Sequence, residues 1–151
     1  MGANRSRRRG RLLFETRVPD TALGVRDVRH AALHAIPADA NADTAELVIA
    51  ELVSNAVAHA GCPCLLGIYS WGPCLLIQVQ DNSDDQPVTG PPLSSNLDGS
   101  GRGLQIVHAL SESFGVQQVR PTGKIVWAVV CLCDGEECAQ DYESWMTSSL
   151  N

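Results

Sequence analysis

The stretch from Asp81 to Gly103, DNSDDQPVTGPPLSSNLDGSGRG, shows neither a helical nor a strand period, yet the chain is periodic on both sides of it. A connection of about twenty residues without secondary structure is uncommon inside a compact domain and usually carries function. The chain has 151 residues, which at roughly 100–200 residues per domain is one domain. One fold must therefore be built around this loop, from the elements before and after it.

Before the loop, RLLFETRV (11–18) sets Leu12, Phe14 and Val18 at strand spacing and stops at Pro19. Asp20 or Thr21 can cap a helix with Val25, Val28, Ala32, Ala35 and Ile36 on one stripe, ended by Pro37. A second helix is expected from Thr44 to Ala60, marked by Val48, Leu52, Ala56 and Ala60, with Gly61 and Pro63 beyond it. The period then changes to two: LLGIYS (65–70) and CLLIQVQ (74–80) flank WGP and read as an antiparallel hairpin. After the loop, a third helix places Leu104, Val107, Leu110 and Phe114 on one side, with Gly115 as its stop. Two strands, near 115–120 and 125–132, are joined by a PTGK turn. Strands cluster in pairs rather than alternating with helices. This predicts an α+β two-layer sandwich, a mixed, mostly antiparallel sheet with about three helices on one face. Residues 1–10 read as a basic leader, 11–133 as the folded body, and 134–151 as an acidic tail that is a frayed end or a short terminal helix.

Composition narrows the function classes. Apolar residues are 44% and charged residues 19%, as in ordinary globular domains. Aromatics are 5%, too few for a base-stacking RNA surface. Net charge is −6, and of the 11 Lys and Arg, Arg5, Arg7, Arg8, Arg9, Arg11 and Arg17 lie at the N-terminus. The body is acidic and a poor nucleic-acid surface, and the basic run reads as a solvated leader. No apolar stretch reaches the roughly 20 residues that span a bilayer, and no secretory signal follows the leader. No membrane association and a cytoplasmic location are expected. The cysteines at 62, 64, 74, 131, 133 and 138 contain no CxxC pair. They read as reduced thiols behaving as small core hydrophobes, with zinc as the lesser alternative.

Three places could carry chemistry. In ELVSNAVAHA (51–60), Glu51 and Asn55 are one helical turn apart, about 40° around the axis, on a face shared with Leu47 and His59. So close to an apolar stripe they need partners, although a solvated helix face would also account for them. GSGRGL (99–104) runs into the third helix. Glycines at every second position let backbone approach a ligand, and a helix N-terminus behind them favours an anion, although a flexible linker has the same composition. It is neither a Walker loop nor a dinucleotide fingerprint. In VQDNS (79–83), Asp81 ends an apolar strand, where its carboxylate can accept from an exocyclic amine or simply start a turn.

In this order, ELVSNAVAHA, VQDNSDDQP, DGSGRGLQIVHALSESFGV and PTGKIVWAVV resemble the Bergerat ATP-binding fold shared by gyrase, heat-shock chaperones, mismatch-repair ATPases and histidine kinases. Within it the chain is most similar to the small anti-sigma-factor serine/threonine kinases of bacteria. The D-x-S and GRGL wording looks actinobacterial. The resemblance runs from Phe14 to Val130. It implies that Asn55 supplies a magnesium ligand, that Glu51 activates the attacking hydroxyl, and that Asp81 accepts from the adenine amine. It also implies that Gly99, Gly101, Arg102, Gly103 and Leu104 form the lid and phosphate motif. The implied cofactors are ATP and Mg²⁺. The implied partners are an anti-anti-sigma factor with a STAS domain, a sigma factor, and a second copy of the chain in a homodimer.

The departures are specific. Ser83 and Asp85 replace the two glycines of the family's DxGxG, and GKI sets Ile125 where the family carries a hydroxyl that helps hold adenine. These departures suit the alternative of a non-catalytic anti-sigma binding protein with weak or no nucleotide binding. A histidine-kinase fragment would need a phosphoacceptor helix pair elsewhere, and a DNA-binding role would rest on RSRRRGR alone.

Overall fold

The computed structural model describes residues 10–19, 21–37, 41–60, 64–82, 102–119 and 121–132. Five strands and three helices follow in the order β1 (Leu12–Val18), α1 (Ala22–Ala35), α2 (Ala42–Ala60), β2 (Cys64–Trp71), β3 (Cys74–Asp81), α3 (Arg102–Leu110), β4 (Ser113–Gln118) and β5 (Lys124–Cys131). The sheet order is β1-β2-β3-β5-β4. Each neighbouring pair is antiparallel, so the sheet is antiparallel throughout rather than mixed.

Strand alternation sends one set of side chains to the helices. Val18, Leu66, Ile68, Leu75, Ile77, Val79, Val126, Ala128 and Val130 form a core with Val28 and Ala32 of α1, Val48, Ile49, Leu52, Val53 and Ala56 of α2, and Leu104 and Val107 of α3. All three helices thus cover one face, which makes the two-layer sandwich expected from the pairing of strands. A smaller cluster of Cys74, Val129 and Cys131, with Leu76 and Trp127 against it, belongs to the opposite face.

Local chemistry sets the boundaries. Thr21 caps α1, its Oγ1 accepting from Gly24 N at 3.0 Å. The start of α2 lies two residues before the expected Thr44, because the Asn41 carbonyl already accepts from Ala45 N at 3.1 Å. The Asn41 amide then donates to the Cys131 carbonyl at 3.0 Å and ties that helix to the end of β5. Between β2 and β3, Trp71 pairs with Cys74 across a two-residue turn in which Gly72 has φ 57°. A two-residue hairpin turn wants such a residue at its first position.

Two expectations need correction. α3 ends at Leu110, so Phe114 and Gly115 are strand residues of β4 and Gly115 is no helix stop. Gly115 pairs with Trp127, whose indole occupies the space a Cβ at 115 would need. Cys74 and Cys131 are not reduced thiols: they are register partners of β3 and β5 and form a disulfide with S–S 2.07 Å. Cys64 is a buried core residue, as expected. Cys62, Cys133 and Cys138 lie outside the described residues, as do the leader and the tail.

Candidate functional site

α2 runs over β3 and β5 and packs against α3. One margin of α2 carries Glu51 and Asn55, both half-buried, beside the buried stripe of Leu52 and Ala56. Leu47, one turn before Glu51, is exposed. This margin therefore passes from solvent at Leu47 to the α3 junction at Glu51.

At that junction the Glu51 carboxylate lies against Gly103 in the first turn of α3, and a Cβ at position 103 would collide with Glu51 Oε2. The glycine lets the carboxylate stand there, because a side chain at 103 would push the flexible end of Glu51 aside. No acidic residue lies in the first turn of α3 itself. Glu51 brings the negative charge that a helix N-terminus favours. Glu51 and Gly103, far apart in sequence, are thus neighbours, with Asn55 one turn along the same helix. Leu104 is a core side chain, so only its backbone could serve a ligand. Gly99 and Gly101 lie outside the described residues, as do the side chains of Arg102 and His59.

A second group of candidate residues lies at the C-terminus of β3. Asp81 ends the strand on the face that carries Ile77 and Val79, and it pairs in register with Lys124, the first residue of β5. Lys124 Nζ donates to Asp81 Oδ1 at 3.1 Å, and both side chains are 2% exposed. Gly123 precedes Lys124 with φ 109°, and a Cβ there would run into the Asp81 carbonyl oxygen. Only glycine fits such a turn. The turn is closed by Val119 N donating to the Gly123 carbonyl at 2.9 Å.

The register also places the GKI residues. Ile125 pairs with Gln80, not Asp81, so it belongs to the alternate face. The side chain that meets Asp81 is Lys124. The sequence carries a signal for it, because a Lys follows the turn glycine directly, but only the register says which residue meets the aspartate.

A hard cation takes oxygen ligands, and the Asn55 amide oxygen and the Glu51 carboxylate offer two on one helix margin beside a helix N-terminus. At the end of β3, Asp81 and Lys124 are a buried acceptor and donor held against each other. These residues fit an anionic nucleotide with its metal. Among the described residues there is no group of three or more His, Cys, Asp or Glu that could hold a metal unaided. No described helix is long and apolar enough to cross a membrane.

The sequence profile of the histidine kinase-like ATPase domain matches residues 15–130. The chain belongs to this family. That is the family whose Bergerat fold the four sequence motifs resemble, and the matched span holds every described element except the first residues of β1 and the last of β5. Among solved structures, a chain of the SiaB–SiaC complex from Pseudomonas aeruginosa superposes with a TM-score of 0.64 at 16% identity, covering 86% of this chain and 95% of that one. At that identity the likeness is one of fold. A comparison with curated proteins gives no match.

Proposed function

We propose that this histidine kinase-like ATPase domain is an ATP-dependent serine/threonine protein kinase of the anti-sigma type. It phosphorylates an anti-anti-sigma partner with a STAS domain and so regulates sigma-factor-dependent transcription in the cytoplasm. The observation that carries the reading is the meeting of Glu51 with Gly103 at the N-terminus of α3, with Asn55 one turn away.

Each residue then has a part. Asn55 holds Mg²⁺ through its amide oxygen, and Mg²⁺ neutralises charge on the phosphates when bound. The glycine segment ending at Gly103, with Arg102 and the Leu104 N–H, cradles those phosphates. Glu51 stands where the transferred group would lie and accepts, or orients, the proton of the attacking hydroxyl. Asp81 holds the base. The neighbouring fold was solved in a complex of two proteins, which supports a partner-binding role for a domain of this shape.

The test is transfer of phosphate from ATP·Mg to purified STAS-domain proteins. Glu51→Ala should lose transfer and keep ATP binding, and robust transfer by that variant removes Glu51 from the role. Asn55→Ala should lose ATP·Mg binding itself. A second reading is a partner-binding anti-sigma protein that does not turn over nucleotide. It is favoured by one observation, the occupation of Asp81 Oδ1 by Lys124. Calorimetry showing no ATP·Mg binding at millimolar nucleotide would favour it over the kinase.

A further inference from the structure

Away from the candidate site, α1 carries a second pair of ligating side chains. RHAALHA sets His30 and His34 four residues apart, so both leave the same face of the helix. That face is turned to solvent, and both residues are exposed. The opposite face is anchored: Val28 and Ala32, with Ile36 just beyond the helix, are buried in the core, and Thr21 caps the first turn. The spacing of the two histidines is therefore held by a docked helix.

The rings converge at their tips. Their centroids are 4.9 Å apart, and His30 Nε2 stands 3.4 Å from His34 Nε2. A direct bond between the rings at that separation is long against the usual range of about 2.7–3.2 Å for an N–H donor. Two imidazole nitrogens held at about 2.0–2.1 Å from one tetrahedral ion stand about 3.3–3.4 Å apart. The pair thus has the bite of a metal chelate. His30 also borders a pocket of about 540 Å³ with Arg26, Asp27, Arg29 and Glu46, where two carboxylates balance two guanidiniums and a hydrated ion has room.

We propose that His30 and His34 chelate a divalent transition-metal ion of the zinc, nickel or copper class. Imidazole suits these ions, whereas Mg²⁺ and Ca²⁺ prefer oxygen. Among the described residues no third His, Cys, Asp or Glu completes the set, so water fills the remaining positions and the ion stays open to exchange. The site lies on α1 and is separate from the magnesium ligand proposed on α2.

The test is calorimetric titration of the full chain with Ni²⁺ and with Zn²⁺, after reactive thiols have been alkylated so that cysteines do not compete. Two ligands on one scaffold bind more tightly than one by about 10²–10⁴. His34→Ala should therefore weaken binding by roughly a hundredfold. His34→Ala combined with Ala31→His keeps the number of histidines but sets them at adjacent positions, which do not face each other. That variant should stay as weak as the single one. Residues 30, 31 and 34 are all exposed, so these substitutions leave the core alone. Excess Mg²⁺ should not displace Ni²⁺ or Zn²⁺ from the wild type. A wild type that binds no more tightly than His34→Ala overturns the proposal. So does a return of wild-type affinity in the rearranged variant, or displacement by Mg²⁺, which would put the ion among oxygen ligands. Each of these failures leaves the proposed kinase function standing.

Discussion

The two ends of the β3–β5 ladder are closed in opposite ways. At one end Cys74 and Cys131 are joined covalently on the sheet face that bears Trp127 and Leu76. At the other end Asp81 and Lys124 are joined by an ion pair on the face under the helices. Both pairs are register partners within one run of eight, and both are buried. Their energetics differ in kind. A disulfide acts mainly by restricting the unfolded chain, and it brings no charge that must be desolvated. A buried ion pair must recover the cost of taking two charges out of water, and replacing it with apolar groups is often neutral or stabilising. A fold that needed only a clasp could use the first solution at both ends. The ion pair holds a candidate site residue, Asp81, and the disulfide holds none.

The comparison is best broken at the charged end. Lys124→Met leaves a buried carboxylate without its ammonium and should cost about 3–5 kcal/mol in denaturant unfolding. Adding Asp81→Asn should recover most of that loss, which would show that the cost came from the orphaned charge. If the double variant stays as unstable as the single one, Lys124 supports the fold by packing and the contrast between the two ends fails.

The covalent end should matter somewhat less. Cys74 and Cys131 enclose a separation of 57 residues. Chain entropy sets an upper value of about 4 kcal/mol for a loop of that order. Cys74→Ser with Cys131→Ser should lower stability by no more than this and leave ATP·Mg affinity unchanged. A change in affinity would mean that the two ends communicate.

Gly103→Ala probes the site away from the ladder. The new methyl meets the flexible end of Glu51, so unfolding free energy should change by only about 1 kcal/mol, the usual scale for a point substitution. Phosphate transfer should nevertheless fall by roughly tenfold or more, because a small misplacement of a reacting group is costly. The smallest effect serves as a calibration: Thr21→Ala removes the cap of α1 and should cost about 1 kcal/mol with nucleotide binding intact.

Much of the architecture is legible in the chain. Glu51 and Asn55 share a helix margin because four residues are one turn plus about 40°. The alternation of LLIQVQ places Asp81 at a strand end, and the clustering of strands in pairs is enough for the α+β sandwich. Other features are not legible. Phe114 continues the apolar stripe of α3 in sequence, but β4 claims it because Gly115 accommodates the Trp127 ring across the ladder. The disulfide is hidden because 57 residues separate its cysteines and no local spacing links them. Lys124 and Ile125 are adjacent residues of a strand, and they look equally eligible to meet Asp81 until their faces are known.

Periodicity within each segment determined which elements form and which of their residues go inward, because 3.6 and 2.0 are properties of the local backbone. Register was decided only by the tertiary structure. A slip of one residue would turn every side chain of β5 to the other face. It would set Ile125 against Asp81 and part Cys131 from Cys74. Short-range rules cannot distinguish those two alignments, and the shared core beneath the helices does.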